Sequence, residues 1–208
     1  MSQFFQIHPE NPQARLVKQA ADILRQGGLA VIPTDCAYAF ACRIGDKKAT
    51  ERVERLRQLG PKHNYTLLCR DFSELSTFAK VSNSQYRLLK AHTPGAFTFI
   101  LEATREVPRL LMHPKKRTIG IRVPDNAIAM ALLAEMGEPL MTSSLIMPGD
   151  ELPLSDPYEI RQMLENQLDL IVDGGYCGFE ATTVIDMTDE VPVLVRQGVG
   201  DASAMVAE

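Results

Sequence analysis

Small hydroxyls and cations recur at the ends of apolar runs in this chain: Thr34 and Asp35 after LAVI, Thr118 and Arg122 around TIGIRV, Thr142, Ser143 and Ser144 after PLM, Thr182 and Thr183 before VID, and Arg196 after VPVLV. In an open α/β sheet, ligands bind in the crevice beyond the strand ends, so residues of these types could line one site. Each has a plainer reading alone, because Thr favours strands and Ser or Thr near a turn often bonds backbone. Arg122 points furthest toward chemistry. In IGIRVP, alternation puts Ile119, Ile121 and Val123 on one face and Gly120 with Arg122 on the other. A missing side chain beside a cation leaves room for an anionic group, and a guanidinium can clasp a carboxylate or phosphate through two parallel bonds. A surface salt bridge is the alternative.

Charge along the chain is uneven. Residues 1–124 hold 20 Lys and Arg against 10 Asp and Glu, and residues 125–208 hold 2 against 16. An anionic partner near the first part would fit that split. Arg105, Arg109, Lys115, Lys116, Arg117 and Arg122 crowd the stretch REVPRLLMHPKKRTIGIRVP against a single acid, Glu106. Lys115, Lys116 and Arg117 are candidate RNA-binding residues there, with a solvated loop as the other reading. No GxxxxGK[ST] loop exists, and GVGDAS at 198–203 matches half a dinucleotide fingerprint without the helix or ribose acid that should follow. Cys36, Cys42, Cys69 and Cys177 lack CxxC spacing and read as buried free thiols, and no metal ligand set is evident. A cysteine hydrolase built on Cys36 is disfavoured, since nothing in the sequence sets His8, His63, His92 or His113 beside it. No run reaches the roughly 20 apolar residues of a membrane span. The N-terminus does not read as a secretory signal, so a cytoplasmic protein without membrane partners is expected.

The elements that must position these residues alternate between two periods. PQARLVKQAADILRQGG predicts a helix with Pro12 in its first turn and Gly27-Gly28 as its stop. DKKATERVERLRQLG predicts another, broken by Gly60-Pro61, and NSQYRLLKAH a third. NAIAMALLAEMG should be capped by Asp125 or Asn126 and stopped by Gly137. SDPYEIRQMLEN has Asp156 as cap with Pro157 at the first helical position. LAVI, TLLC, AFTFILEA, TIGIRV, PLMTSS, LDLIVDGG, TTVIDM and VPVLVR supply apolar or strand runs. Intermingled helices and strands predict one α/β domain over 1–200, an open twisted mixed sheet with flanking helices, and a frayed tail over 201–208.

Several of these segments together resemble the YrdC/YciO family, whose best-known members are threonylcarbamoyl-AMP synthases. PTDCAYAF is similar to the family's Pro-Thr-Asp-Thr-x-Tyr-Gly-Leu, TPGAFTFIL to its Pro-Gly-x-x-Thr-x-x-Leu, and TIGIRVP to its Thr-(Val/Ile)-x-x-Arg-x-Pro. GEPLMTSS, DGGYCGFEATTVID and LVRQG resemble later signatures, and RQLGPKHNYTLLCRD resembles the YciO branch in particular. The resemblance implies a YrdC/RibB-like fold with a basic concavity for ATP and L-threonine. It implies magnesium as the nucleotide's companion ion, and double-stranded RNA, tRNA or rRNA as further partners. By the motif match, Thr34, Arg122 and Thr182 would contact threonine, with Arg122 on its carboxylate. Thr118, Ser144 and Arg196 would lie on the nucleotide side, and Arg57 would take the catalytic place of the family's lysine. Thr34 would then present its hydroxyl from a turn held by Asp35.

The sequence departs from that pattern. The family's Lys-x-Arg reads Arg57-Gln58-Leu59, its Ser-Ala-Asn reads Ser144-Leu145-Ile146, and Cys36 and Ala39 replace a threonine and a glycine. A leucine cannot stabilise leaving-group charge. Two readings stay open: a weak or divergent synthase, and a non-catalytic RNA-binding protein.

Overall fold

The computed structural model describes residues 1–60 and 63–206. In chain order the elements are β1 (Gln3–Gln6), α1 (Ala14–Arg25), β2 (Ala30–Ile32), β3 (Ala39–Arg43), α2 (Lys47–Arg57), β4 (Thr66–Leu68), α3 (Phe72–Phe78), α4 (Asn83–His92), β5 (Phe97–Glu102), a 3-10 turn at Arg109–Leu111, β6 (Thr118–Arg122), α5 (Ala127–Met136), β7 (Leu140–Ser144), α6 (Pro157–Leu164), β8 (Leu170–Asp173), β9 (Thr183–Asp186) and β10 (Val193–Arg196). The ten strands among the described residues join one sheet in the order β1-β8-β2-β3-β7-β4-β6-β5-β9-β10. The sheet is mixed, as expected: β8 runs parallel to β1 and β2, β4 to β6, and β5 to β9, while the other neighbours are antiparallel. No helix among the described residues is long and apolar enough to cross a membrane.

Local chemistry accounts for most helix ends. The side chains of Asp46, Asn126 and Asp156 accept from backbone N–H groups at the starts of α2, α5 and α6, and Ser82 with Gln85 forms a capping box on α4. Gly137 closes α5 with φ 69°, a left-handed geometry that favours glycine. Two boundaries differ from expectation. α1 starts at Ala14 with Gln13 as its cap, leaving Pro12 outside, and α2 ends on Gln58 at φ 51° rather than at Gly60. Pro61 lies outside the described residues. The strands β1 and β3 and the helix α3 escape the sequence patterns: β1 has four residues, α3 has seven, and Ala39–Cys42 of β3 are buried without alternation.

Alternation divides the sheet into two faces with different covers. One face carries Val31, Phe40, Leu67, Phe99, Ile121, Met141, Ile171 and Ile185 into a core that also takes residues of α2, α3, α4 and α6. The opposite face carries Ala30, Ile32, Ala41, Leu68, Leu140, Leu170 and Val172 against α1 and α5. Alanines at 20, 21 and 129 let those two helices approach closely. Their apolar cluster stops near β7. Beyond it the same face turns polar, with Thr66, Thr98, Gly120 and Thr142.

The segment after Gly200 corrects the expectation of a frayed tail. Ala202 and Met205 are buried in the main core, and Val206 packs against it; residues 207–208 lie outside the described residues. The GVGDAS stretch is built into that packing. A Cβ on Gly200 would sit 2.6 Å from the Phe97 ring, and one on Gly198 would sit 2.2 Å from the Ala181 carbonyl. These glycines permit close contact within the fold. Met205→Ala is expected to lower unfolding free energy by about 2–5 kcal/mol in urea titration; an unchanged midpoint would restore the frayed tail.

Candidate functional site

The polar half of the inner face forms a cavity of about 550 Å³. Sheet register builds its floor. Thr66 is paired with Gly120 on β6 and with Thr142 on β7, Ile100 is paired with Gly120, and Ala39 is paired with Ser144. Gly120 is required by space, since a Cβ there would lie 2.9 Å from the Thr66 hydroxyl and 3.0 Å from the Tyr65 carbonyl. Walls come from Thr34 after β2, Arg57 at the end of α2, His63 and Asn64 before β4, Ile146 after β7, and Thr182, Val184, Val195 and Arg196 around β9 and β10.

Arg122 is 7% exposed and lies under the Thr34 loop. Its Nη2 donates to the Asp35 carboxylate and to Cys36 Sγ at 3.2 Å, its Nη1 reaches Thr34 Oγ1 at 3.5 Å, and its Nε is buried with no partner. Asp35 is partly buried beside it, its side chain 12% exposed. The turn-holding role expected of Asp35 therefore falls to its neighbour. The Thr34 hydroxyl holds the turn, donating to the Ala37 carbonyl at 2.6 Å and accepting from the Cys36 and Ala37 N–H groups at 3.2 Å, while Asp35 neutralises Arg122. A buried guanidinium demands such a partner, and a threonine turn needs no carboxylate.

The other two cations are held differently. Arg57 donates to the Ile146 carbonyl at 3.1 Å and to the Ser143 hydroxyl. Arg196, exposed at the mouth, donates to the Thr182 carbonyl at 2.9 and 3.2 Å and to its hydroxyl at 3.3 Å, and that hydroxyl meets Thr98 Oγ1 at 2.9 Å. Among the described residues neither cation has a carboxylate within 4.0 Å, and no acid lines the cavity. Desolvation lowers the pKa of both guanidinium groups, and for Arg57 the charge of Arg196 adds to it. Burial, then the Arg57 charge, lowers the His63 imidazole to about 4, so it is neutral near pH 7. The cavity therefore presents positive charge balanced by neutral acceptors, which is how a site for an anion is built.

Of the residues singled out in the sequence, Thr34, Arg57, Gly120, Arg122, Thr142, Ser143, Ser144, Thr182 and Arg196 line this one cavity. Thr118 shares the face of Gly120 and Arg122 but is buried outside the lining. Leu59 packs against the main core. Lys115, Lys116 and Arg117 are exposed elsewhere, on a turn where His113 Nδ1 accepts from the N–H groups of Lys115 and Lys116 at 3.3 and 3.1 Å. Arg117 joins Lys80, Arg105, Arg109 and His113 around a second hollow of about 790 Å³. His63, Asn64, Thr66 and Thr98 line the main cavity without having been singled out as ligand contacts; the signal available was the shared face of Thr66, Gly120 and Thr142, visible only once the strand order is known. Burial raises the Cys36 thiol pKa and the residue sits against Arg122 rather than a histidine, which leaves the hydrolase reading without its base.

Asp35→Ala should cost about 3–5 kcal/mol of unfolding free energy, because it leaves the Arg122 charge buried and uncompensated. Denaturant titration showing less than about 1 kcal/mol of loss would mean that solvent already reaches the pair.

Comparison with known proteins joins these observations. A family model named for Sua5, YciO and YrdC, described as telomere recombination, matches residues 22–198. The chain is 58% identical to the uncharacterized protein YciO of Escherichia coli K12 over 97% of its own length and 98% of that protein's. The crystal structure of E. coli YciO superposes with a TM-score of 0.97 at 57% identity, covering 99% of this chain and 100% of that one. A threonylcarbamoyl-AMP synthase of Bacillus subtilis is 27% identical over 88% of this chain and 53% of its own length. The crystal structure of Pyrococcus abyssi Sua5 complexed with L-threonine shares the fold, with a TM-score of 0.87 at 24% identity over 95% of this chain and 58% of that one. The polar face, its buried arginine and the motifs around them thus belong to a chain that is a member of the Sua5/YciO/YrdC family.

Proposed function

We propose that the cavity binds ATP together with a small amino acid, L-threonine by the family's precedent, and that the protein is a divergent threonylcarbamoyl-AMP synthase of low turnover. The observation that carries this reading is the placing of Arg57 and Arg196, both without carboxylate partners, across the same 550 Å³ hollow as Arg122 and the hydroxyls of Thr34 and Thr182. That volume suits a nucleotide-sized ligand, since small-molecule pockets span roughly 300–1,000 Å³.

The chemistry asks for position and charge rather than a protein nucleophile. Threonine and bicarbonate give a carbamate with loss of water; a carbamate oxygen bonds to the α-phosphorus of ATP, and the bond to the pyrophosphate oxygen breaks. Arg57 and Arg196 can neutralise the departing pyrophosphate, and their partial desolvation strengthens that attraction. By the family's motif Arg122 would take the amino-acid carboxylate alongside Asp35, and its Nε lacks an acceptor. Magnesium belongs to this reading as the substrate's own counter-ion. The lining offers it hydroxyls, and phosphate oxygens with water would complete its octahedron. Arg57-Gln58-Leu59 supports low turnover: the family pattern sets a second cation two residues after the first, and here a leucine packs into the core instead.

Incubation with ATP, L-threonine, bicarbonate and magnesium is expected to release pyrophosphate and the threonylcarbamoyl adenylate, and Arg196→Ala to weaken ATP binding by about 1–3 kcal/mol. Absence of both product and ATP binding at millimolar ligand would reject the reading. The exposed Lys115-Lys116-Arg117 turn, beside a second basic hollow, favours RNA as an additional partner on a separate surface. Binding of double-stranded RNA should then weaken steeply with salt, and replacing all three cations by alanine should flatten the log–log salt slope by about 2–3; an unchanged slope would remove that surface from the interface.

A further inference from the structure

From the geometry of the cavity's cationic end, we infer that His63 is an inducible phosphate ligand, taking a proton from solvent when a polyphosphate anion settles between Arg57 and Arg196. The inference rests on the reading that this cavity binds the phosphates of a nucleotide, and it identifies how the site makes up for the cation absent at Leu59. His63 lines the cavity, and its Nε2 lies 3.4 Å from the Ser143 hydroxyl that also accepts from Arg57. Ring and guanidinium therefore converge on one point of the wall. The imidazole packs edge-on against Tyr65, with ring centroids 5.1 Å apart, and the Tyr65 hydroxyl donates to Glu54 at 2.6 Å.

The groups facing the ring explain its state in the free protein. Arg57 comes from α2, Ser143 from β7 and Tyr65 from its own segment; Arg196 lies beyond Arg57, and Glu54, also on α2, is engaged through Tyr65. Among the described residues no carboxylate contacts the imidazole. A third fixed cation at this place would repel two guanidinium groups whenever the site is empty. A histidine avoids that repulsion, because it is neutral until a multiply charged anion reverses the sign of the local field. Both ring nitrogens then donate, one toward Ser143 and one free for a phosphate oxygen.

Linkage fixes the sign. Since the free imidazole titrates at about 4 and the bound one must titrate higher, His63-linked affinity grows as pH falls through the bound pKa and levels off below the free one. One proton limits this growth to about tenfold per pH unit. Inorganic pyrophosphate is the probe. Nitrogen-15 resonances of the four histidines, followed against pH with and without saturating pyrophosphate, should show the His63 pKa rising by about 1–3 units while His8, His92 and His113 stay put. Calorimetry at pH 6 in buffers of different ionisation enthalpy should show proton uptake that His63→Gln removes, and His63→Lys should bind pyrophosphate without that uptake; comparison with the variants subtracts the ionisation of pyrophosphate itself. Pyrophosphate binding with an unmoved His63 pKa would overturn this inference and leave the nucleotide reading standing. No binding at millimolar pyrophosphate would overturn both.

Discussion

A guanidinium sealed under a loop sets the terms for the whole inner face. Arg122 projects from a central strand into surroundings where an unpaired charge would cost several kcal/mol, so the chain between β2 and β3 must bring it an acid. Asp35 does so, and the Thr34 hydroxyl fastens the turn that carries Asp35 inward. That loop becomes one wall of the cavity. Gly120, two residues before the arginine, keeps the floor low enough for a ligand to lie beside it. Charge neutralisation, loop geometry and cavity shape are therefore one solution to one electrostatic problem.

The remaining cations follow a different rule. Arg57 and Arg196 are tethered by a hydroxyl and by carbonyl oxygens, which fix their direction without cancelling their charge. The cavity is thus divided into a neutralised end at Arg122 and an unneutralised end at Arg57 and Arg196. A zwitterionic amino acid suits the first, where a carboxylate already stands beside the cation. A polyphosphate suits the second. Under the proposed function such preorganised charge would stabilise a leaving group without protein reorganisation, and the loss of a family cation to Leu59 would reduce that stabilisation without altering the fold that carries it.

Much of this was legible in the sequence because it depends on local rules. Caps at Asn126 and Asp156 mark helix starts, and the period of two in IGIRVP puts Gly120 and Arg122 on a common face before any coordinates are known. What escaped depends on distant partners. Asp35 meets Arg122 across 87 residues of chain, and no local pattern tells an acid that holds a turn from one that answers a buried cation. β3 is short and buried without alternation, so it offers no period, yet its insertion beside β7 decides which strands form the cavity floor. His63 lies in an irregular stretch whose only local feature is polarity. Met205 read as part of a frayed tail, but burial against a core assembled from the rest of the chain decides its place.

The central claim is that separate segments converge to hold an anionic ligand along one line, from Arg122 to the Arg57 and Arg196 end. A crystal structure of the protein grown with a non-hydrolysable ATP analogue and L-threonine tests it most directly. The account predicts phosphates within hydrogen-bond distance of Arg57 and Arg196 and a carboxylate within hydrogen-bond distance of Arg122. Nucleotide density in another hollow, or phosphates contacting none of these three arginines, would contradict it.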